Sequence, residues 1–124
     1  MKESEIKYIE TKKGEKFPYL FSLNVLSAVQ NKYGSLNEWK ELIEPADGSE
    51  PKIDALIFFF TEAINEGIDI ENEEHNQSRE LLTSRKVGRI ITELGLEEAS
   101  KKLKEAVVDS NPETTEEITE EAKN

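Results

Sequence analysis

The clearest candidate for chemistry in this sequence is a set of four carboxylates at the spacing of a calcium-binding loop. Places one, three, five and twelve of such a loop are held by Asp69, Glu71, Glu73 and Glu80. The sixth place, where the sharp turn of the loop needs glycine, is Glu74. We therefore expect a solvated acidic connector at this point of the chain, and no metal site.

Candidates for catalysis are also few. His75 is the only histidine and lies in this polar connector, so we expect a solvated loop residue and not the base of a catalytic triad. The adjacent Glu73 and Glu74 lack the burial that would separate the pKa values of an acid and a base. The sequence has no nucleophile elbow, no glycine-rich phosphate loop and no metalloprotease helix. We expect neither catalytic residues nor a cofactor.

Length and charge narrow the class of protein. The chain has 124 residues, enough for one domain, with 35% hydrophobic and 35% charged residues and a net charge of -11. Residues 38–80 hold 13 acidic and 3 basic side chains, which would repel a phosphate backbone. We therefore expect no DNA or RNA partner.

The sequence also indicates a cytoplasmic, soluble protein. The N-terminal residues show no apolar core of a signal peptide, and the longest apolar run, ALIFFF, is far shorter than the roughly 18 residues that a membrane span needs. Cysteine is absent, which excludes disulfides and thiolate metal sites and agrees with a reducing compartment.

The elements that would position any site begin with a β-hairpin. The segments EIKYIE and KFPYLF are rich in aromatic and branched residues, and TKKGEK between them supplies a turn glycine. Pro18 cannot donate a ladder hydrogen bond, so we place the second strand at a sheet edge or at its end. A lone hairpin is marginal in water, so it must pack on helices.

Two helices follow the hairpin. Ser22 is a predicted cap, and Gly34 a predicted stop, for a helix with Leu23, Leu26, Val29 and Tyr33 at apolar positions. Ser35 and Glu38 form a predicted capping box for a short second helix that Pro45 ends. Its apolar positions are Leu36, Trp39, Leu42 and Ile43.

Three further helices are predicted. One starts near residue 53 and is closed by Gly67, and it is followed by the acidic connector and a short helical turn at 78–82. Thr83 or Ser84 caps a fourth helix that Gly95 stops, and a fifth runs from Leu96 to the break at Asn111-Pro112.

The predicted fold is therefore mainly α, with an N-terminal β-hairpin packed on a bundle of about five helices. We expect a single domain over residues 1–110. The tail, residues 111–124, is acidic and poor in apolar residues, and we expect it to be disordered.

Three consecutive phenylalanines raise the question of an interaction surface. Helical geometry places Phe60 in the core, Phe59 at the edge of the apolar stripe and Phe58 nearly opposite. The third helix is either wrapped on both sides by its own chain, or Phe58 belongs to a docking face for another chain. Burying a phenylalanine is worth about 1.5–3 kcal/mol, so a free ring would favour a partner. As partner contacts we predict Phe58 and Phe59, with Trp39 and Tyr33.

Three motifs and their order connect the chain to a known family. They are Phe21-Ser22-Leu23-Asn24 at a helix start, Tyr33-Gly34-Ser35-Leu36 with an aromatic residue soon after, and Leu82-Thr83 before Val87-Gly88-Arg89-Ile90-Ile91. Together with the lysine-rich hairpin, this order resembles the tail assembly chaperones of long-tailed bacteriophages, particularly those in prophages of Gram-positive bacteria. The resemblance covers roughly residues 5–110.

The resemblance implies a mainly helical protein without catalytic activity. Such chaperones bind the tape-measure protein, and often tail-tube subunits (the major tail protein), in the host cytoplasm before the tube polymerises. They are absent from the mature virion. A long helical partner would require an apolar groove or patch surrounded by solubilising charge. The oligomeric state stays open.

Two other classes of protein remain as alternatives. An acidic mimic of nucleic acid, or an inhibitor that occupies a basic groove, would suit the net charge of -11. It would need carboxylates on one rigid face, whereas we expect them in a loop and a tail. A helix-turn-helix regulator over residues 84–104 is less favoured, because only Arg85, Lys86, Arg89 and lysines near Lys101 would face phosphate.

Overall fold

The computed structural model describes residues 6–110 and confirms the predicted fold class. The chain forms a two-stranded antiparallel hairpin followed by five helices. The elements are β1 (Lys7–Glu10), β2 (Lys16–Tyr19), α1 (Leu23–Tyr33), α2 (Leu36–Ile43), α3 (Ile53–His75), α4 (Ser84–Leu94) and α5 (Leu96–Ser110). The predicted tail and the predicted break at Asn111-Pro112 lie outside the described residues, so the division at residue 110 stays a prediction.

The hairpin packs on α3 through β2. In the ladder, Tyr8 pairs with Pro18 and Ile9 pairs with Phe17. Just after β2, the Leu20 amide donates to the Ala63 carbonyl at 3.3 Å, which ties the chain to the middle of α3. The hairpin is therefore part of the single core, as its marginal stability in isolation requires.

Helix α3 is longer than the sequence predicts. It runs through Gly67 to His75, so the prediction that Gly67 closes it is wrong. Gly67 is buried against Pro18: a Cβ added at Gly67 would lie 2.9 Å from both the carbonyl carbon and the Cβ of Pro18. A glycine inside a helix costs about 1 kcal/mol, and here it lets a strand approach the helix closely. The helix ends at Asn76, which has left-handed geometry with φ 54°.

The short helical turn predicted for residues 78–82 is absent from the described chain. The backbone amides of this segment bind side chains of α3 instead. The Arg79 amide donates to Asn72 Oδ1 at 3.0 Å, and the Leu82 amide donates to Asn65 Oδ1 at 2.7 Å. Because α3 supplies these acceptors, the segment needs no helical hydrogen bonds of its own.

The other helix boundaries follow local sequence as predicted. The hydroxyls of Ser22, Ser35 and Thr83 accept amide hydrogen bonds at the starts of α1, α2 and α4, at 3.3, 3.0 and 3.1 Å. Gly34 and Gly95 end α1 and α4 with positive φ values of 98° and 97°. The three hydroxyls satisfy backbone amides at the helix starts, which have no hydrogen-bond partners within the helices.

The core surrounds α3 on several sides. The largest side chains with less than 2% exposure include Trp39, Tyr19, Phe59 and Phe60. Helices α4 and α5 each bury one apolar face, with Ile90 and Leu103 as examples. The prediction for Leu23 is wrong, because this first residue of α1 is 73% exposed. Leu23 lies at the start of α1, before the part of the helix that packs on the core.

Helix α5 is joined to the rest by its buried face and by charged side chains. Lys102 and Glu98, four residues apart on α5, form an ion pair with 3.9 Å between their charged atoms. Lys104 reaches Glu44, just after α2, at 2.6 Å. Within residues 6–110, no helix is both long enough and apolar enough to cross a membrane.

Candidate interaction surface

Two of the four predicted partner contacts are sealed inside the chain. Trp39 and Phe59 are both 0% exposed, and their rings stack at 5.1 Å between centroids. The Trp39 indole donates to the Ala55 carbonyl at 3.1 Å. Because α1, α2 and the hairpin all cover α3, a ring at the edge of its apolar stripe is buried too. The predicted patch therefore does not form from Trp39 and Phe59 in this conformation.

The other two predicted contacts, Tyr33 and Phe58, lie half-buried at the surface. Their rings meet edge to face at 5.6 Å, and the Lys32 ammonium lies 5.2 Å from the Phe58 ring centroid. The end of α1 thus supplies the second surface that Phe58 requires, within the same chain. Part of each ring stays accessible, so their role as partner contacts stays a prediction.

The hydroxyl of Tyr33 is an unusual feature of this aromatic pair. It is buried and has no hydrogen-bond partner among the described residues. Burial, with a smaller contribution from the charge of Asp54, raises the pKa of Tyr33 above its ordinary value. An unpaired buried hydroxyl is unfavourable for stability.

An open apolar groove lies between α3 and α4, and we call it the α3/α4 groove. Its volume is about 340 Å³. It is lined by Ile53, Ile57, Gly88, Ile91, Thr92 and Leu96. Ile53 is 41% exposed and Leu96 is 49% exposed, so large apolar side chains line it without being covered. This is the surface best suited to another chain among the described residues.

The sequence contained only part of the signal for this groove. Helical spacing places Ile53 and Ile57 on the apolar stripe of α3, but spacing alone does not show where a neighbouring helix stops covering that stripe. A glycine inside a helical pattern, such as Gly88, indicates a point of close packing between helices. In the structure a Cβ at Gly88 would lie 3.4 Å from Ile57 Cδ1, so Ile57 packs close to the backbone of α4 at this glycine.

Charges of opposite sign flank the groove. On α4, Arg85 and Arg89 are exposed, and neither forms an ion pair with another described residue. On α3, Asp54 is exposed and precedes Ile57 by three residues, which places it on the same side of the helix. The groove therefore has a basic edge on α4 and an acidic edge on α3.

The acidic connector of the sequence prediction is a helix. Asp69, Glu71 and Glu73 belong to the last turns of α3, and His75 is the exposed last residue of that helix. Alternate residues of a helix point to different sides, so these carboxylates cannot surround an ion as a loop would. No group of three potential metal ligands lies close together among the residues described.

A carboxylate row results from this helix. Glu62, Glu66, Asp69 and Glu73 recur at intervals of four, three and four residues, which places them on one face of α3. Glu66 is engaged within the chain, since its carboxylate accepts from the Ser22 hydroxyl at 2.9 Å. The expectation that Asp69 and Glu73 lie in a loop is therefore wrong.

A second cavity, of about 190 Å³, lies between α2 and α5. It is lined by Trp39, Lys40, Ile43, Glu44, Ser100, Leu103, Lys104 and Val107. Four of these side chains are themselves almost fully buried, and the contact of Lys104 with Glu44 spans the space between α2 and α5. The lining of this cavity is more polar than that of the α3/α4 groove, since it includes Lys40, Glu44 and Lys104.

Comparisons with models of protein families, with curated proteins and with solved structures find no match to this chain. The fold and the surface define a small helical protein with an open apolar groove that has charged residues on both edges. Its function is inferred from its own residues.

Proposed function

We propose that this chain is a non-enzymatic tail assembly chaperone of a long-tailed bacteriophage. It binds the tape-measure protein, and tail-tube subunits with it, in the host cytoplasm during tail assembly. The observation that carries the proposal is the α3/α4 groove, an uncovered apolar surface on a chain with a net charge of -11. The sequence resemblance supplies the identity of the partner.

The groove suits an amphipathic helix, the form expected of a long helical partner. Such a helix presents apolar residues at intervals of three and four, which fit a groove between two helices. Helix α4 has 11 residues, which gives a groove of about 16 Å, or three turns of a partner helix. Covering the exposed parts of Ile53 and Leu96 would contribute roughly 1 kcal/mol each.

The net negative charge meets a second requirement of an assembly chaperone, which is solubility. A net charge of -11 keeps the chain soluble and opposes self-association while the groove is open. Tyr33 and Phe58 remain predicted contacts, because a partner that covers Ile57 would pass close to the next residue of α3.

The motifs behind the resemblance have structural roles in this chain. Ser22 and Ser35 cap α1 and α2, and Thr83 caps α4. Ile90 and Ile91 of the third motif are buried in the core. These motifs therefore encode helix boundaries and packing, while the partner surface depends on other residues.

Co-expression with a tape-measure fragment tests the proposal. The soluble fraction of a helical fragment from the tape-measure protein of the same tail gene cluster should rise when this chain is present. Ile53→Asp should abolish the rise, because it places a charge at the mouth of the groove.

Leu23→Asp is the matched control for that experiment. Leu23 and Ile53 are both exposed first residues of helices, where aspartate is favourable for the helix dipole, so both variants should fold. Leu23 does not line the groove, and its variant should retain full activity. Equal behaviour of the two variants, or no rise with the unmodified chain, would contradict the proposal.

Gene order gives an independent test. A major tail protein gene upstream and a very long tape-measure gene downstream are expected. A gene isolated from any tail cluster would argue against the assignment.

The carboxylate row on α3 favours a second candidate, an acidic mimic of nucleic acid. Its four carboxylates span roughly 16 Å on a rigid helix and not on a loop. Such a protein would displace DNA from a basic DNA-binding protein, and replacing Glu62, Asp69 and Glu73 by glutamine should remove the competition. If the chain at micromolar concentrations fails to displace a DNA duplex from the basic DNA-binding protein, this candidate is eliminated.

A further inference from the structure

We propose that the α3/α4 groove selects amphipathic helices that carry carboxylates along the flank facing α4. The inference rests on the proposed function, because it takes the α3/α4 groove as the binding site. It goes further by assigning the chemistry and the orientation of the bound helix.

Shape is the first observation behind this inference. The groove volume of about 340 Å³ lies within the range of functional pockets, roughly 300–1,000 Å³. Gly88 contributes no side chain to the lining on α4, and Ile57 lies opposite. A large apolar side chain of a partner helix can therefore lie over Gly88, beside the tip of Ile57.

Charge on the α4 edge is the second observation. Arg85 and Arg89 precede the lining residues Gly88 and Thr92 by three residues each, so each lies on the same side of α4 as the groove. Both arginines are exposed, and the described residues offer them no ion pair. Carboxylates of a bound helix can therefore pair with them at the rim.

The α3 edge sets the orientation. Asp54 is exposed on that edge and would repel a carboxylate placed there. A helix with acidic residues on one flank and neutral or basic residues on the other is therefore favoured in one orientation, with its acidic flank on α4. This arrangement discriminates by repulsion as well as by attraction.

The net charge of -11 predicts the opposite preference, a basic partner, so the inference is open to a direct test. Much of the negative charge is distant from the groove. Asp69 is 16 residues beyond Ile53 on α3, or about 24 Å along the helix. The Debye length at 0.15 M salt is about 8 Å, so such distant charges are screened while contacts at Arg85 and Arg89 persist.

Two synthetic peptides of about 20 residues provide the test. They share one leucine stripe at helical spacing and differ in having glutamates or lysines along one flank. Fluorescence anisotropy with the full chain at about 0.15 M salt should show about threefold to tenfold tighter binding of the glutamate peptide, as expected for two rim ion pairs.

A double charge swap should reverse this preference. The variant Arg85→Glu/Arg89→Glu should bind the lysine peptide more tightly than the glutamate peptide. Position 85 lies in the first turn of α4, where glutamate is favourable, and position 89 is exposed, so the variant should fold. The control Lys13→Glu/Lys40→Glu has the same net charge at exposed positions outside the groove lining, and it should keep the original preference.

The inference is overturned if the unmodified chain prefers the lysine peptide, if both double variants behave alike, or if neither peptide binds below about 1 mM. Should the charge swap fail to fold, Arg85→Gln/Arg89→Gln decides, since it must lose the preference. The tape-measure assay separates the two proposals. If the chain selects the glutamate peptide but does not solubilise the tape-measure fragment, the groove chemistry stands and the chaperone function is wrong. If it solubilises the fragment but does not select between the peptides, the chaperone function stands and the groove chemistry is wrong.

Discussion

The contact between Gly67 and Pro18 gives the sharpest prediction about stability. Gly67→Ala would place a Cβ 2.9 Å from two Pro18 atoms, the carbonyl carbon and Cβ. One of these is backbone and the other belongs to a rigid ring, so neither can rotate away. Strand β2 must therefore move away from α3, and the nearby Leu20 to Ala63 hydrogen bond, already 3.3 Å long, would weaken.

The expected magnitude combines opposing contributions. Alanine in place of glycine inside a helix gains about 1 kcal/mol. Overpacking costs typically 1–3 kcal/mol, and loss of the hydrogen bond about 1 kcal/mol more. We expect a net loss of about 1–3 kcal/mol in the free energy of unfolding, or a fall in Tm of roughly 4–15 °C.

Gly88→Ala is the matched control. It is also a glycine inside a helix, but its added Cβ would meet only the mobile end of Ile57, at 3.4 Å. This variant should gain about 0.5–1 kcal/mol. Urea unfolding followed by circular dichroism measures both variants against the unmodified chain. A stabilised Gly67→Ala, or changes of the same sign in both, would refute the role assigned to Gly67.

Three further predictions concern local interactions, each measured by urea or thermal unfolding. Tyr33→Phe should stabilise the chain by about 1 kcal/mol by removing an unpaired buried hydroxyl. Because burial raises the pKa of Tyr33, the unmodified chain should lose stability as pH rises above about 10, and the variant should lose less. Ser22→Ala should cost about 1–2 kcal/mol and more than Ser35→Ala, since only Ser22 also binds a carboxylate of α3 among the described contacts. Lys104→Gln should cost less than 1 kcal/mol because its ion pair is exposed, whereas Leu103→Ala should cost 2–5 kcal/mol. Equal effects within either pair, or a destabilised Tyr33→Phe, would contradict these assignments.

The α3 helix shows how far sequence reasoning reached. The sequence predicts its start and its apolar stripe, but wrongly predicts an end at Gly67, because glycine commonly ends helices. That rule fails when a distant residue makes glycine useful inside the helix, as Pro18 does here. The acidic residues beyond Gly67 lack an apolar period, yet they remain helical to His75.

The candidate site shows a similar division. Rotation about the helix axis identified Phe58 as a ring that needed a second surface, and the structure supplies Tyr33 for it. The same reasoning could not show that Phe59 and Trp39 would face each other inside the core. The α3/α4 groove was missed because it depends on where α4 stops covering α3.

The sequence by itself determined the helix starts at Ser22, Ser35 and Thr83, since a cap binds amides only two or three residues away. It also determined the helical class, through the spacing of apolar residues. Only the tertiary structure decided the length of α3 and the position of the open groove. Both depend on contacts between segments far apart in the chain, whose distances and angles no local pattern contains.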